Sequence, residues 1–214
     1  GAMMLRSGLV DVAMVGGSEA CITPGTFRGW ESLRVMASDT CRPFSRGRGG
    51  MVIGEGAATL VLETLEHALS RGAHIRAELC GIGMSAGAED HLQPTTDGMA
   101  AAMSAAVIDA GLLPEEVDYI NAHGSGTAHC DPAETLAIKE VFGQHALKMA
   151  VSSTKSMVGH LLGASPALEA VATVAAIEAG QAPPTIGYLG SDPECDLDYV
   201  PNSSRRMPIR FALS

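Results

Sequence analysis

The chain has 214 residues, of which 46% are hydrophobic, so it can bury one sizeable core and its length alone does not require two domains. Aspartate and glutamate number 24 against 14 lysines and arginines, and a net charge of −10 argues against a nucleic-acid-binding surface, which needs a basic stripe. Aromatic residues make up only 4% of the chain and glycine occurs 25 times, which favours close packing of helices on sheet in a layered α/β body.

The first third of the chain is typical of two buried strands, each followed by a helix. Residues 10–16 form an apolar run that ends in a Gly-Gly pair, which predicts a central strand leading into a tight turn. We expect a short helix over residues 26–36. A second apolar run at residues 56–63 predicts another buried strand, which continues as a helix that stops at Gly72.

The rest of the chain alternates strands and helices more regularly. Asp131 is expected to cap a helix, with Glu134 near the positive end of its dipole. Because strands alternate with helices, the pattern predicts a parallel or mixed sheet covered by helices on both faces. In chain order we predict a strand at 75–84, a polar loop at 87–98, a helix at 99–110, a strand at 117–122, a helix from Asp131 to near Gly143, a strand at 149–153, a long helix at 161–179 and a final strand at 209–213.

The five cysteines show no spacing that is typical of a metal site. They are scattered without any CxxC or CxxH pair, so structural zinc is disfavoured and we expect no metal or cofactor. An odd number of cysteines without a signal peptide fits a reducing cytoplasm. No run of about 18 uncharged apolar residues occurs, so we expect no membrane segment.

Two polar loops follow predicted strands, where open α/β sheets place their sites. Residues 121–127 read NAHGSGT, so His123 enters a loop whose glycines permit close approach of a ligand. Residues 152–160 read SSTKSMVGH and place Lys155 and His160 at a second strand-to-helix turn. Glu169 follows in an otherwise apolar helix. Singly, each has an ordinary explanation as a hydrogen-bonded histidine or a solvated charge, so only their combination is informative.

In combination, these loops resemble those of the β-ketoacyl-[acyl-carrier-protein] synthases, a thiolase-like family. Residues 121–127 are similar to that family's histidine loop and residues 152–164 to its lysine and histidine loop, in the same order and spacing. The resemblance implies that residues 1–72 end the N-terminal half of a ketosynthase and that residues 73–214 form an incomplete C-terminal half. The elongating type of fatty-acid or polyketide synthesis and its nodulation-protein branch look nearest. Further similar stretches lie at 15–19, 41–45, 54–57 and 195–202.

The resemblance implies a decarboxylative Claisen condensation of malonyl-carrier protein with an acyl thioester. His123 and His160 would donate N–H groups to the developing enolate oxygen, which is electrostatic stabilisation by preorganised donors. Lys155 would orient the site electrostatically. Glu169 would pair with Lys155, because a lone carboxylate in an apolar helix is costly.

The resemblance also implies binding partners. Ser125 and Thr127 are expected to contact the substrate, and Arg34 the acyl carrier protein. Because that acidic partner must approach a chain of charge −10, we expect a local basic patch in which Arg46 and Arg48 join Arg34. Members of the family are homodimers, so the protein is expected to form one.

The nucleophilic cysteine of the family lies N-terminal to anything in this chain, so we expect the chain to be inactive alone. Cys130, at a predicted helix start, is not expected to replace it. Two alternatives remain open: a non-catalytic ketosynthase-like subunit that sets chain length in a heterodimer, and a thiolase-type enzyme that condenses acyl-CoA. The first class usually loses the catalytic residues that this chain retains. Initiating enzymes tend to carry asparagine where His160 stands.

Overall fold

The computed structural model of the chain describes residues 1–87 and 95–214, so most of the loop predicted at 87–98 lies outside the described residues. Short 3₁₀ turns lie at Pro114–Glu116, Gly143–Leu147 and Leu162–Ala164. In chain order the elements are α1 (Ala2–Arg6), β1 (Val12–Glu19), α2 (Pro24–Ser32), β2 (Gly56–Glu63), α3 (Leu65–Ser70), α4 (Thr96–Asp109), β3 (Tyr119–Asn121), α5 (Cys130–Phe142), β4 (Ala150–Ser152), α6 (Lys155–Val158), α7 (Ser165–Ala179), β5 (Gln181–Ala182), β6 (Arg205–Arg206) and β7 (Ala212–Leu213).

Strands β1 and β2 form a fully paired antiparallel ladder, and α7 packs against both strands. Side chains alternate between the two faces of the ladder, and on one face Met14 is 76% exposed and Val61 59% exposed. The prediction that β1 ends at Gly16-Gly17 is wrong, because the strand continues to Glu19. A side-chain carbon at Gly17 would lie 2.8 Å from the carbonyl oxygen of Gly163, so glycine here serves close packing rather than a turn.

A second, parallel sheet has the order β4–β3–β7, and the described residues of β3 and β4 are completely buried. Ile120 packs in a cluster with Ile138 of α5, whereas Tyr119 on the opposite face packs in a cluster with Ala176 of α7. The sheet therefore has helices on both faces, as the alternating sequence pattern predicts.

The predicted strand at residues 75–84 is wrong: this segment joins no β-ladder. It lies instead against α4, where a side-chain carbon at Gly81 or Gly83 would come within 2.2 or 1.9 Å of a helix carbonyl oxygen. A strand needs a hydrogen-bonding neighbour. The edge strand β7 of the parallel sheet pairs with β3 alone among the described residues, so residues 75–84 do not extend the sheet beside it. Apolar composition alone does not show whether a segment has such a neighbour.

Helix α7 ends at Gly180, whose left-handed φ of +57° provides the predicted C-terminal stop. By length and composition alone, the stretch Leu162–Ala179 is apolar enough to cross a membrane. In this structure 28% of the stretch is buried, and the helix packs on the β1–β2 ladder and carries the buried Glu169.

Candidate active site

The two histidine-bearing loops meet at one edge of the parallel sheet. Strands β3 and β4 are parallel neighbours, so their carboxyl ends lie side by side, and each is followed by one of these loops. The rings of His123 and His160 consequently stand edge to face, with centroids 5.2 Å apart at an angle of 78°. The structure thus brings together two side chains that are 37 positions apart in the sequence.

Glu134 on α5 fixes the backbone of the His123 loop. Its Oε1 accepts the N–H of His123 at 2.7 Å, and its Oε2 accepts the N–H of Gly124 at 2.8 Å. Gly124 has a φ of +36°, and a side-chain carbon there would lie 2.5 Å from Cβ of Ser153. The carboxylate and the glycine together set where the histidine leaves β3.

Asp131 acts in the same way one turn earlier on α5. Its carboxylate accepts the N–H of Phe44 at 2.7 Å and that of Gly126 at 3.1 Å. The prediction that Asp131 caps the helix is therefore wrong, since α5 begins at Cys130 without a side-chain cap. Burial is the largest influence on both carboxyls, raising the pKa of Asp131 to about 6 and that of Glu134 to about 7.

Sequence reasoning missed the role of these two carboxylates, although a signal was present. The buried residues of α5 include positions 131, 134, 135, 138 and 142, which follow helical spacing. Asp131 and Glu134 lie in this otherwise mostly apolar stripe. A carboxylate in a buried stripe needs partners, and here backbone N–H groups of the neighbouring loops provide them.

Lys155 and Glu169 form the ion pair expected from the sequence. The ammonium group of Lys155 donates to Oε1 of Glu169, and the lysine side chain is only 1% exposed. Burial raises the pKa of Glu169, against the opposing effect of the Lys155 charge. Asn121 links helix α7 to the turn that carries Lys155. Its side-chain Nδ2 donates to the backbone carbonyl of Glu169 at 3.1 Å, and its Oδ1 accepts from the hydroxyl of Thr154 at 3.3 Å.

The backbone of His160 is anchored to the segment that precedes β2. Its N–H donates to the Val52 carbonyl at 2.7 Å, and its carbonyl accepts the N–H of Gly54 at 3.0 Å. A side-chain carbon at Gly54 would come within 2.3 Å of the Val158 carbonyl oxygen, so this approach requires glycine. The backbone of His160 is therefore fixed by a segment, Val52 to Gly54, that is distant from it in the sequence.

Both imidazoles have a lowered pKa, which favours their neutral forms. Burial, followed by the charge of Lys155, lowers the pKa of His160 to about 4. The pKa of His123 is likewise lowered, first by desolvation and then by Lys155 and His160. His123 is exposed to solvent, so a ligand can reach it. A neutral imidazole offers one N–H donor, and two such donors close together can stabilise an oxyanion.

The predicted substrate-binding hydroxyls lie in the turn after His123. Oγ of Ser125 and Oγ1 of Thr127 are 2.9 Å apart and hydrogen-bonded to each other, and Thr127 also accepts the N–H of Cys130 at 3.3 Å. Both residues are buried. Their contact with a substrate stays a prediction.

The predicted basic patch is only partly present. Arg34 and Arg46 are exposed, and neither forms an ion pair within the described ranges 1–87 and 95–214. Arg48 was wrongly included, because its side chain is only 7% exposed and pairs with Asp192 at 2.7 Å. Its charge is neutralised inside the protein and is not offered to a partner.

The thiolate form is disfavoured at four of the five cysteines. Burial raises the pKa of Cys41 and of Cys195 to about 11, and desolvation also raises the pKa of Cys21 and Cys80. Within the part of the chain that the structure describes, no group of three or more histidine, cysteine, aspartate or glutamate side chains is arranged to hold a metal ion.

Comparison with known proteins gives matches along most of the chain. The family model described as "Beta-ketoacyl synthase, N-terminal domain" matches residues 1–68, and "Beta-ketoacyl synthase, C-terminal domain" matches residues 76–189. Nodulation protein E of Rhizobium leguminosarum bv. trifolii is 54% identical over 94% of this chain and 50% of its own length. 3-Oxoacyl-[acyl-carrier-protein] synthase 2 of Synechocystis sp. is 48% identical over 99% of this chain and 53% of its own length.

Solved structures give the same picture of the fold. The ishigamide ketosynthase/chain length factor superposes with a TM-score of 0.95 at 42% identity, covering 99% of this chain and 52% of that one. A type II polyketide ketosynthase, solved with its acyl-carrier protein and bound to a hexaketide, gives a TM-score of 0.94 at 41% identity over 98% of this chain and 54% of that one. The chain therefore has a thiolase-like fold and spans about half the length of these relatives.

Proposed function

The chain belongs to the β-ketoacyl synthase family, and from this premise we propose that a protein of the relatives' full length containing it is an elongating 3-oxoacyl-[acyl-carrier-protein] synthase. The observation that carries the proposal is the juxtaposition of two imidazole rings, with centroids 5.2 Å apart, and a buried lysine. Such a site suits a reaction in which negative charge develops on a thioester oxygen. The 3-oxoacyl-[acyl-carrier-protein] synthases among the relatives are acyltransferase-type enzymes, which supports this reaction class.

In the proposed reaction, an acyl group is first held as a thioester on an enzyme cysteine. Malonyl-carrier protein then loses carbon dioxide: the bond between its carboxyl carbon and the α-carbon breaks, and the electron pair forms an enolate. The α-carbon attacks the acyl carbonyl, the cysteine sulfur leaves as thiolate, and 3-oxoacyl-carrier protein is released. His123 and His160 donate their N–H groups to the enolate oxygen before the carbon–carbon bond forms.

The other side chains prepare this oxyanion site. Lys155, held by Glu169, places a positive charge near both rings, which adds to the effect of burial in lowering the pKa of both imidazoles and favours the developing anion. Ser125 and Thr127 would contact the carrier-linked part of the substrate from the turn after His123. The acyl-bearing cysteine is not assigned to Cys41 or Cys195, because burial disfavours their thiolates.

We further propose that the partner is an acyl carrier protein and that Arg34 contributes to its docking site. The support is that Arg34 is exposed without an ion pair among the described residues, and that a similar ketosynthase has been solved with its carrier protein. The full-length protein is also proposed to be a homodimer. Sedimentation equilibrium of that protein at twice the protomer mass would support this, and a monomer would contradict it.

A non-catalytic subunit that sets chain length is the alternative with specific support, since one similar structure is titled a ketosynthase/chain length factor. The connected set of His123, Lys155, His160 and Glu169 favours the catalytic role, because a non-catalytic subunit has no need of a buried, desolvated ion pair beside two histidines.

The test is a condensation assay on the full-length protein. Acyl-carrier protein and malonyl-carrier protein are supplied, and the 3-oxoacyl product is followed by mass spectrometry of the carrier. We expect product with the wild type and loss of product with His160→Ala. A folded wild type that forms no product alone, but stimulates or alters product length with a second ketosynthase chain, would instead support the subunit role.

A further inference from the structure

The hydroxyl of Ser165 lies against the imidazole of His160. Its Oγ is 3.2 Å from Nδ1 of His160, and the same Oγ accepts the backbone N–H of Leu161 at 2.9 Å. Because an N–H can only donate, one lone pair of the hydroxyl is already engaged, and the hydroxyl proton is free to point at the ring. Ser165 is 4% exposed, so water offers it little competition.

A second donor converges on the same ring nitrogen. The N–H of Leu162 points at Nδ1 of His160 at 3.0 Å. A backbone N–H accepts nothing, so Nδ1 must accept and must itself carry no proton. Leu162 itself has a left-handed φ of +45°, an uncommon backbone conformation for a bulky side chain, at the turn where its N–H meets the ring.

We propose that Ser165 is a positioning residue that, together with the Leu162 N–H, holds His160 as the tautomer protonated on Nε2. The imidazole then has its donor on the nitrogen that Ser165 does not contact. That this donor serves an enolate rests on the proposed function, whereas the tautomer follows from the contacts of Nδ1 alone.

Removal of the hydroxyl should weaken this arrangement without abolishing it, because the Leu162 N–H remains. A donor at Nδ1 stabilises the neutral ring and opposes protonation at that nitrogen. Nδ1 has a single lone pair, which the Ser165 hydroxyl shares with the Leu162 N–H, so Ser165→Ala is expected to raise the pKa of His160 by less than one ordinary hydrogen bond is worth, about 0.3–0.5 pH unit. It should also increase the population of the tautomer protonated on Nδ1.

The experiment is nitrogen NMR of the protein labelled with ¹⁵N-histidine, titrated from pH 3 to pH 8, with the His160 signals assigned by loss in His160→Asn. In the wild type at pH 7, Nδ1 should resonate as an unprotonated nitrogen and Nε2 as a protonated one. Ser165→Ala should raise the pKa as stated, and Ser165→Thr, which keeps the hydroxyl, should stay near the wild type.

Ser45→Ala is the matched control. The Ser45 hydroxyl is also buried, accepts a backbone N–H at 2.9 Å and donates to a carbonyl at 3.0 Å, but it has no hydrogen bond to any histidine in ranges 1–87 and 95–214. We expect no change in His160. A protonated Nδ1 in the wild type, or a Ser165→Ala shift no larger than that of Ser45→Ala, would overturn the proposal. Because no activity is measured, the tautomer can prove right even if the enzyme assignment fails.

Discussion

Lys155 and Glu169 are two charged side chains whose burial is tolerated because each neutralises the other. Both are buried next to the two histidines. Removing one partner leaves an uncompensated charge away from water, which typically costs about 3–5 kcal/mol. We therefore expect Lys155→Met to lower the free energy of unfolding by about that amount, measured by urea denaturation at pH 7.5.

The matched variant for this prediction is Lys155→Met combined with Glu169→Leu. It removes both charges and leaves apolar groups of similar volume, so much of the lost stability should return, although the catalytic arrangement is gone. Equal stability of Lys155→Met and the wild type would show that the pair is not buried in solution.

Glu134 gives the site a pH dependence of its own. Its pKa in the folded protein is about 7, above the value of an unfolded glutamate, so the folded state binds more protons between about pH 4.5 and 7. The contribution of this group to stability is thus full below that window and is lost as the pH rises through it. Glu134→Gln removes the titration, so relative to this variant the wild type should lose about 2–3 kcal/mol from pH 5 to pH 7.5.

Urea denaturation of both proteins at the two pH values measures this difference. Asp131 is present in both proteins, so its own titration largely cancels. Parallel pH profiles for wild type and Glu134→Gln would mean that Glu134 does not titrate in this range. In the full-length protein, the variant should also lose activity, because an amide accepts only one of the two N–H groups that fix His123.

At the level of single residues, the sequence allowed His123, Lys155, His160 and Glu169 to be singled out, and the structure brings these side chains together. It did not reveal the part played by Glu134, because a carboxylate near a helix start has an ordinary explanation in the helix dipole. The partners of Glu134 are backbone groups of another loop, which no side-chain pattern displays.

Among the elements, the loop that leaves β3 depends on one glycine. Gly124 combines a left-handed φ with contacts that leave no room for a side chain. Gly111 also has a left-handed φ, of +67°, but nothing lies within 4 Å of its missing side chain. Gly124→Ala should therefore cost at least about 2 kcal/mol more than Gly111→Ala, which suffers only the backbone penalty of about 1–2 kcal/mol.

Thermal unfolding of the two alanine variants, compared with wild type, measures the difference. The Gly124 variant should also shift the NMR signals of the His123 ring, whereas the Gly111 variant should leave them unchanged. Equal destabilisation would show that the loop relaxes and that the close approach to Ser153 does not restrain it.

The elements also show what a sequence pattern can and cannot predict. Strand β2 and helices α5 and α7 were predicted close to their observed positions, because apolar spacing and end signals such as Gly143 and Gly180 are local features. Residues 75–84 were predicted as a strand and are not one. β-Sheet pairing depends on two segments, and one of them is not visible in the other's sequence. Gly81 and Gly83 allow this segment to pack closely against α4, but in the sequence they look the same as glycines of a turn.

At the scale of the whole chain, its net charge of −10 opposes the approach of the acidic carrier protein that is proposed as its partner. An acidic partner is repelled at long range, so an exposed, unpaired cation at the docking site has a large influence on encounter. Arg34→Glu in the full-length protein is expected to raise KM for the carrier protein about three- to tenfold at low salt, with kcat little changed.

Arg28→Glu is the matched control, since Arg28 is also an exposed arginine close to Arg34 in the sequence but is already paired with Glu31. Steady-state kinetics at two salt concentrations separate the effects, and added salt should reduce the Arg34 difference. If both variants raise KM equally, the effect is one of total charge and Arg34 has no docking role.

The fold of the whole molecule was predictable through the resemblance of its two loops to ketosynthases, and the family matches confirm it. Composition alone gave only a layered α/β body. The exposed apolar face of the β1–β2 ladder could not be foreseen, because alternation in sequence shows that a strand has two faces but not which of them is covered.

His123 and His160 are proposed to stabilise the enolate formed from a malonyl thioester. The most direct measurement is release of carbon dioxide from malonyl-carrier protein by the full-length protein, compared among wild type, His123→Ala and His160→Ala. We predict a measurable wild-type rate that falls about 10²- to 10³-fold in each folded histidine variant. A wild type that releases no carbon dioxide, or histidine variants that release it at the wild-type rate, would contradict the claim.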